Sequence, residues 1–507
     1  MKKSIFTLLV LGLLCTLPMR AQERIMLFAD PHVYPQALIE EDPDFDTYME
    51  GQRKMVDLSE PIWHALMDTA KKYQPSLVLI PGDLTRDGEA ESHELVSQSL
   101  NKLQELGIRT LVIPGNHDLP GANWETLYPG TYQDAVRDED SHTYAVEPLP
   151  GLTVIGIDGT DGKAGIGKMS KKTLAFVLAQ ADSANAKGNS IIAMCHWQIL
   201  EHFDKQGTLE SSCRMKEADA LRDSLMHHGV HLVLTGHFHV NGITTFRDTT
   251  GLTQDSLVEI TTGSPITYPC PYRWLTFAKN QADIAVSTDY ITSLENIPDM
   301  YTYSREWMTE HAQNMLPALT LRAWAKAESM TDKMADYLPD MVVSIVKACL
   351  PTDDDTKIAL TEKYFGSTVI ELYLFHSDAN ENERPALGDS LAQEVYKGMD
   401  GMMHELTDKQ MDNGFMRSFQ ELLINTAMDV AEEPVQSLVE DITGWKSNYP
   451  DRTDDLRPTL RIGTPKEVEA IPELIPEDTN CRKRLVNGQL LIERNGVIYN
   501  AEGKRIR

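Results

Sequence analysis

Over the first 290 residues, apolar positions gather into short runs at Ile25–Phe28, Leu77–Ile80, Thr110–Ile113, Val154–Ile157, Ser190–Met194 and Leu232–Leu234. Between them lie stretches with helical spacing. This alternation predicts strands separated by amphipathic helices, an α/β arrangement. Ser59 stands before Pro61 and the stripe Ile62, Leu66, Ala70 and Tyr73, which predicts a helix capped by Ser59 with proline in its first turn. Beyond Val240 the runs Thr244–Phe246, Leu257–Thr261, Trp274–Ala278 and Ile284–Thr288 read as antiparallel strands, the last two forming a hairpin that turns near Asn280.

From Pro298 to Asn448 the strand pattern stops, and segments rich in Met, Leu, Ala, Glu and Asp predict a helical lobe. Residues 449–480 carry Pro450, Pro458, Pro465, Pro472 and Pro476 among charges and read as a linker or an extended strap. The tail alternates again through Leu485-Val486, Leu490–Ile492 and Val497–Tyr499. With Asn495-Gly496 between the last two runs, it predicts a terminal β-hairpin. The expected division is 1–21 signal peptide, 22–295 α/β domain, 296–448 helical lobe, 449–480 linker and 481–507 hairpin.

The first of these rests on basic Lys2 and Lys3, the apolar run Ile5–Leu14 and small Ala21 before Gln22, the layout of a bacterial export signal. It implies export to a periplasmic, cell-surface or extracellular location. A lipid anchor on Cys15 is disfavoured by Leu14, which stands where a small residue is usual. No other apolar stretch reaches membrane-spanning length, so the mature chain is expected to lack a transmembrane segment. Once the signal is removed, Cys195, Cys213, Cys270, Cys349 and Cys481 remain. An odd and sparse set points to stability from a core and not from a disulfide framework, with a Cys213–Cys270 pair left open. The formal charge of −29 repels polyanions, so no nucleic-acid polymer is expected as a partner. A small phosphoester still fits, because metal ions create a local positive site inside an acidic protein.

The chemistry sits where the strands end. Asp30-x-His32, Gly82-Asp83, Gly115-Asn116-His117-Asp118, His196 and Gly236-His237-x-His239 each follow an apolar run, which places all of them at one edge of a sheet. Asp30, His32, Asp83, Asn116, His196, His237 and His239 mix carboxylate, amide and imidazole. That set suits manganese, iron or zinc and is too rich in nitrogen for calcium. Only Asp30 and Asp83 are anionic, so two divalent ions would leave a net positive centre suited to a hydroxide and a phosphoryl group. Gly82, Gly115 and Gly236 let the backbone turn sharply and approach the metals closely.

In order and spacing these segments resemble the calcineurin-like metallophosphoesterase superfamily, over about Arg24 to Tyr290. The resemblance implies a four-layer α/β/β/α sandwich. It implies one metal held by Asp30, His32, Asp83 and His239, a second by Asp83, Asn116, His196 and His237, and a bridging hydroxide as nucleophile. His117 would be the general acid for the leaving group, with Asp118 orienting it. Arg86 stands where purple acid phosphatases carry a tyrosine, and Asp118 where 5′-nucleotidases usually carry glutamate. The pattern, with Gly88-Glu89, Thr262-Gly263-Ser264 and Tyr268-Pro269, is most similar to secreted bacterial members of the cyclic-nucleotide phosphodiesterase branch. The expected function is hydrolysis of a small phosphodiester, with phosphomonoester hydrolysis and a catalytically inactive binding protein as alternatives. The partner of the helical lobe is unassigned.

Outside these motifs the ordinary reading is preferred. Asp353-Asp354-Asp355 is a solvated turn, and His227, His228 and His231 mark a helix end. Tyr34, Arg86, His93, Trp124, Trp197, His202 and Tyr272 are read as packing or supporting residues around the pocket, with one or two of them expected to touch substrate.

Overall fold

The computed structural model describes residues 24–118, 123–160, 167–202, 206–209, 211–248, 256–277, 283–334, 351–377, 384–408, 459–461, 481–486, 489–494 and 497–500. The expectations for the signal peptide, most of the proline-rich segment and the turns at Asn280 and Asn495-Gly496 lie outside them. The chain divides into two units, residues 1–465 and 466–507.

In the first unit the strands are β1 (Arg24–Leu27), β2 (Leu77–Ile80), β3 (Arg109–Val112), β4 (Val136–Arg137), β5 (Tyr144–Leu149), β6 (Leu152–Ile157), β7 (Ser190–Cys195), β8 (Leu232–Thr235), β9 (Gly242–Arg247), β10 (Ser256–Thr261), β11 (Pro271–Phe277), β12 (Asp283–Tyr290) and β13 (Thr459–Arg461). They form two sheets, ordered β13-β12-β11-β1-β2-β3 and β4-β5-β6-β7-β8-β10-β9. The strands that precede the motifs are parallel to a neighbour: β1, β2 and β3 in the first sheet, β7 and β8 in the second.

The uninterrupted apolar runs have a simple cause. Successive side chains of a strand point to opposite faces, so a strand apolar at every position has two faces to bury. Ile25, Leu27, Leu77 and Leu79 join Ile192, Met194, Leu232 and Leu234 in a core between the sheets. The alternate residues Met26, Phe28, Val78 and Ile80 pack outward on Ile62, Trp63, Leu66 and Met67 of the helix Ser59–Tyr73. On the other side Ile155, Ile191, Ala193 and Val233 pack on Val177 and Ala181 of Lys171–Ala186 and on Leu221 and Leu225 of Ala218–His227. The result is the expected four-layer α/β/β/α sandwich.

Several local expectations change. Ser59 does not cap its helix, since Leu58 holds that position. The Ser59 hydroxyl instead donates to the Val56 carbonyl at 2.7 Å and accepts the Tyr34 N–H at 2.9 Å, tying the loop after β1 to the helix. Cys213 and Cys270 are both buried and neither is in a disulfide, so the open pairing between them is not made. Within the proline-rich segment, Thr459–Arg461 pairs antiparallel with Asp283–Ala285, as an edge strand on the first sheet.

The helical region contains Met300–Met334, Asp354–Ser377 and Arg384–Asp408. Met300, Tyr303 and Trp307 of the first of these pack into the core outside the first sheet. The acidic run is an ordinary helix start, because Asp353 accepts the Thr356 N–H at 2.8 Å in the manner of an N-cap. No described helix is long and apolar enough to cross a membrane. In the second unit, β14 (Cys481–Val486), β15 (Gln489–Arg494) and β16 (Val497–Asn500) form a three-stranded antiparallel meander, one strand more than the expected hairpin.

Candidate metal centre

Asp30 and His32 follow β1, Asp83 follows β2, and Asn116 and His117 follow β3. His196 follows β7, and His237 and His239 follow β8. Three motifs therefore come from one sheet and two from the other, and the site straddles the carboxyl ends of both. The expectation of a single sheet edge is corrected. Sequence order ties each motif to a strand but does not say which sheet the strand joins.

Donor atoms of Asp30, His32, Asp83 and His239 lie within 4.8 Å of one another, as do those of Asp83, His196 and His237, with Asp83 common to both groups. Asn116 Oδ1 stands 3.1 Å from His196 Nε2 and adds an amide oxygen to the second group. All seven candidate ligands are thus brought together.

The donors face one another in a way that neutral protein groups do not favour. His32 Nε2 is 3.1 Å from His239 Nε2, and His237 Nδ1 is 3.1 Å from His196 Nε2. Asp83 Oδ2 is 3.6 Å from His32 Nε2 and 3.3 Å from His196 Nε2. His196 Nδ1 lies 2.9 Å from the Pro81 carbonyl. A proton on that nitrogen leaves Nε2 with its lone pair directed at the cluster, the usual support for a metal-binding imidazole. Converging lone pairs and carboxylates, largely withdrawn from water, are the chemistry of a cation site.

The backbone is bent to achieve this. Asp30 (φ 54°), His32 (41°), Asp83 (50°), His237 (66°) and His239 (58°) all occupy the left-handed region. Each such residue costs of order 1–3 kcal/mol and persists where its surroundings hold it. Here the loops are laced together. Asp30 N–H donates to Gly82 O (3.1 Å) and His32 N–H to Asp83 O (3.0 Å), while Ser264 Oγ donates to Asp30 O (2.6 Å). His237 N–H donates to both Asp30 carboxylate oxygens (2.9 and 3.0 Å), and His117 N–H to Asp83 Oδ1 (2.9 Å). Of the three motif glycines only Gly82 has positive φ, at 93°. Gly115 and Gly236 are required by close approach, because a Cβ there would overlap the carboxylates of Asp83 and Asp30 respectively.

Burial holds the imidazoles of His32, His237 and His239 well below the usual histidine range, which keeps them neutral. Burial pushes Asp30 up to about 8, and the neighbouring Asp83 charge adds to this. Burial works against a charge on His196, but Asp83 outweighs it and raises that histidine to about 9. Such shifts mark sites whose protons a divalent cation displaces.

His117 lies at the mouth, outside both donor groups, with its ring 4.8 Å from that of His32 and edge-on to it. The expected orienting residue is corrected. Both Asp118 oxygens are engaged with Thr85 N–H (2.9 Å), Thr85 Oγ1 (3.0 Å) and Gly115 N–H (2.8 Å), so Asp118 joins the loops after β2 and β3. The carboxylate on His117 Nδ1 is that of Asp87, at 2.9 Å. Burial opposes a charge on His117, but this bond and the field of Asp83 raise its pKa above the usual histidine value. Arg86 in turn holds Asp87 (3.2 Å) and Asp42 (3.2 Å), with its guanidinium over the rings of Tyr34 and Tyr48.

Other flanking residues support the cluster. Trp197 packs against the rings of His196 and His237, and His93 Nε2 meets the Asp118 carbonyl at 3.3 Å. His228 bonds Asp182 and His231 bonds the Ser256 carbonyl, away from the centre. Sequence reasoning missed Asp87, which reads as half of an Asp-Gly turn. It also missed the buried residue Glu259, for which no motif gives a signal.

Residues 23–241 match the model of the calcineurin-like phosphoesterase family. The chain is similar to a probable glycerophosphodiester phosphodiesterase of Arcobacter nitrofigilis, 25% identical over 170 residues, 32% of this chain and 59% of that protein. It is also similar to a probable cyclic nucleotide phosphodiesterase of Synechococcus sp., 24% identical over 188 residues, 36% of this chain and 67% of that protein. The chain thus spans about three-fifths to two-thirds of the length of these relatives. Among solved structures it is similar to a dimetal phosphatase from Danio rerio, with TM-score 0.41, 14% identity, and coverage of 53% of this chain and 96% of that one. It is also similar to a purple acid phosphatase from yellow lupin, with TM-score 0.35, 11% identity and coverage of 53% and 52%.

Proposed function

We propose that this chain, which carries a calcineurin-like phosphoesterase domain, is an exported, metal-dependent hydrolase of small phosphodiesters. The observation that carries the reading is the pair of largely buried donor groups sharing Asp83. Asp30, His32, Asp83 and His239 would hold one divalent cation, and Asp83, Asn116, His196 and His237 the other, with manganese, iron or zinc suited to the donors. When bound, the cations would neutralise phosphoryl charge and supply a nucleophile near neutral pH. The diester preference rests on the motif pattern and on the names of the two relatives.

The chain's own residues supply the rest. Asp83 and Asp30 are each fixed by a backbone N–H, so their orientation is set before substrate arrives. His117 is held through Nδ1, which leaves Nε2 to deliver a proton to the departing oxygen. Asp87 keeps that ring in place. Substituting Asp87→Asn is expected to lower kcat about 10-fold with KM and metal content unchanged, on the scale of one lost charge-assisted hydrogen bond. Equal kcat in the variant would remove Asp87 from the mechanism.

The test of the function is direct. The protein without residues 1–21, loaded with manganese, iron or zinc, should bind two equivalents of metal and turn over bis-p-nitrophenyl phosphate faster than the mono ester. Chelation should remove activity, and readdition of metal should restore it. Turnover insensitive to chelator, or none with any of the three metals, would sink the proposal.

A further inference from the structure

One arginine connects the mouth of the centre to a segment that carries no candidate metal ligand. Arg86 Nη1 donates to Asp42 Oδ2 at 3.2 Å, and Arg86 Nε lies 3.2 Å from Asp87 Oδ2. The guanidinium carbon sits 4.4 Å from the ring centre of Tyr34 and 3.9 Å from that of Tyr48, within the range of cation–π attraction. Only 13% of the side chain is exposed. Its surroundings are themselves fixed. Asp42 Oδ1 accepts the Asp44 N–H at 3.1 Å, Tyr34 stacks on the buried Phe45, and the Arg86 N–H donates to the Val33 carbonyl at 3.2 Å.

Asp87 has the opposite character. Its side chain is half exposed on a turn, where a short carboxylate left to itself would sample several rotamers in water. Each of its oxygens has a separate partner: Oδ1 meets His117 Nδ1 at 2.9 Å, and Oδ2 meets Arg86. An isolated surface ion pair would hold it weakly, because ordering two mobile side chains offsets the attraction. Arg86 differs from that case. Its planar fork is already held by the aromatic rings and by Asp42, so it presents a fixed charge to Asp87. Contacts therefore run without a break from Asp42 through Arg86 and Asp87 to His117.

We infer that Arg86 is a positioning residue for proton delivery, whose guanidinium fixes the Asp87 carboxylate and, through it, the ring of His117. The inference rests on the proposed function, in which His117 gives its proton to the departing oxygen. To that reading it adds Tyr34, Asp42 and Tyr48 as the frame that holds the arginine. Arg86 acts through Asp87 alone, so its effect should follow the need of the leaving group for that proton.

The experiment uses the protein without residues 1–21, loaded with zinc, and compares bis-p-nitrophenyl phosphate with an alkyl diester, glycerophosphoethanolamine. Arg86→Met is expected to lower kcat for the alkyl diester about 3- to 5-fold, the scale of one partly exposed ion pair. The loss should be smaller for the p-nitrophenyl ester, with metal content unchanged. In an Asp87→Asn background the same substitution should lower the rate little further, because the carboxylate through which Arg86 acts is already gone. A second readout needs no turnover. In protein labelled with ¹⁵N-histidine, the Nδ1 proton of His117, identified by its absence from His117→Ala, should exchange with water several-fold faster in Arg86→Met than in the parent. If Arg86→Met does not fold, Arg86→Lys keeps a cation without the fork and should show the same pattern. Equal rate losses for the two esters, the full loss persisting beside Asp87→Asn, or unchanged proton exchange would each overturn the inference. A protein that hydrolyses neither ester, yet loses protection of the His117 proton in Arg86→Met, would refute the hydrolase and leave the positioning role standing.

Discussion

Replacing His117 with alanine is expected to lower kcat for an alkyl phosphodiester by about 10²–10⁴ while both metals stay bound. The retention of metal follows from geometry. The His117 ring belongs to neither donor group, and its contribution to Asp83 is a backbone N–H at 2.9 Å that alanine keeps. The loss of rate follows from Asp87, which fixes Nδ1 and raises the pKa of the ring, so a protonated Nε2 is available to the leaving oxygen. An alkoxide needs that proton, whereas p-nitrophenolate is stable enough to leave without it. The rate loss should therefore be markedly smaller for the p-nitrophenyl ester. Comparing the two leaving groups, with metal measured in both proteins, checks the role. An equal loss for both substrates together with lost metal would make His117 a structural residue.

The α/β core was legible because its strands bury both faces, which writes them as unbroken apolar runs at Ile25–Phe28 and Leu77–Ile80. β5 was not. Its Glu147 and Pro148 interrupt the pattern, and its pairing with β6 shifts register between Val146 and Leu149, as a strand near a sheet edge can tolerate. The candidate metal ligands were legible because their residue types are restricted and each stands directly after a strand. The residues that act on them through space were not. Asp87 meets His117 across 30 positions of chain, and nothing in Asp87-Gly88 distinguishes a positioning carboxylate from a turn. Asp118, next to His117 in sequence, looked the better partner. Adjacent side chains on a tight turn diverge, however, and Asp118 is spent on Thr85 and Gly115.

Glu259 shows the same limit and carries the largest expected effect on stability. It lies in β10, a strand recognised from its apolar residues, yet its carboxylate is fully buried and accepts four hydrogen bonds. Oε2 takes the N–H groups of Ile199 (2.8 Å) and Leu200 (2.7 Å), and Oε1 takes Thr235 Oγ1 (3.0 Å) and His202 Nε2 (3.0 Å). His202 Nδ1 then meets Thr244 Oγ1 at 3.1 Å. Every group around the carboxylate is a donor, so only an acceptor on both oxygens satisfies them all. Glu259→Ala would strand two buried backbone donors and open a void, and we expect a loss of about 3–5 kcal/mol in urea unfolding. Glu259→Gln is nearly isosteric but turns an NH₂ group towards donors, so it should still destabilise by about 1–3 kcal/mol. The damage should reach the metal centre, because Ile199 and Leu200 belong to the segment that follows His196. Bound metal is therefore expected to fall in both variants, more in alanine than in glutamine. A glutamine variant with the parent's unfolding midpoint and metal content would show that this carboxylate neither holds the loop nor positions His196.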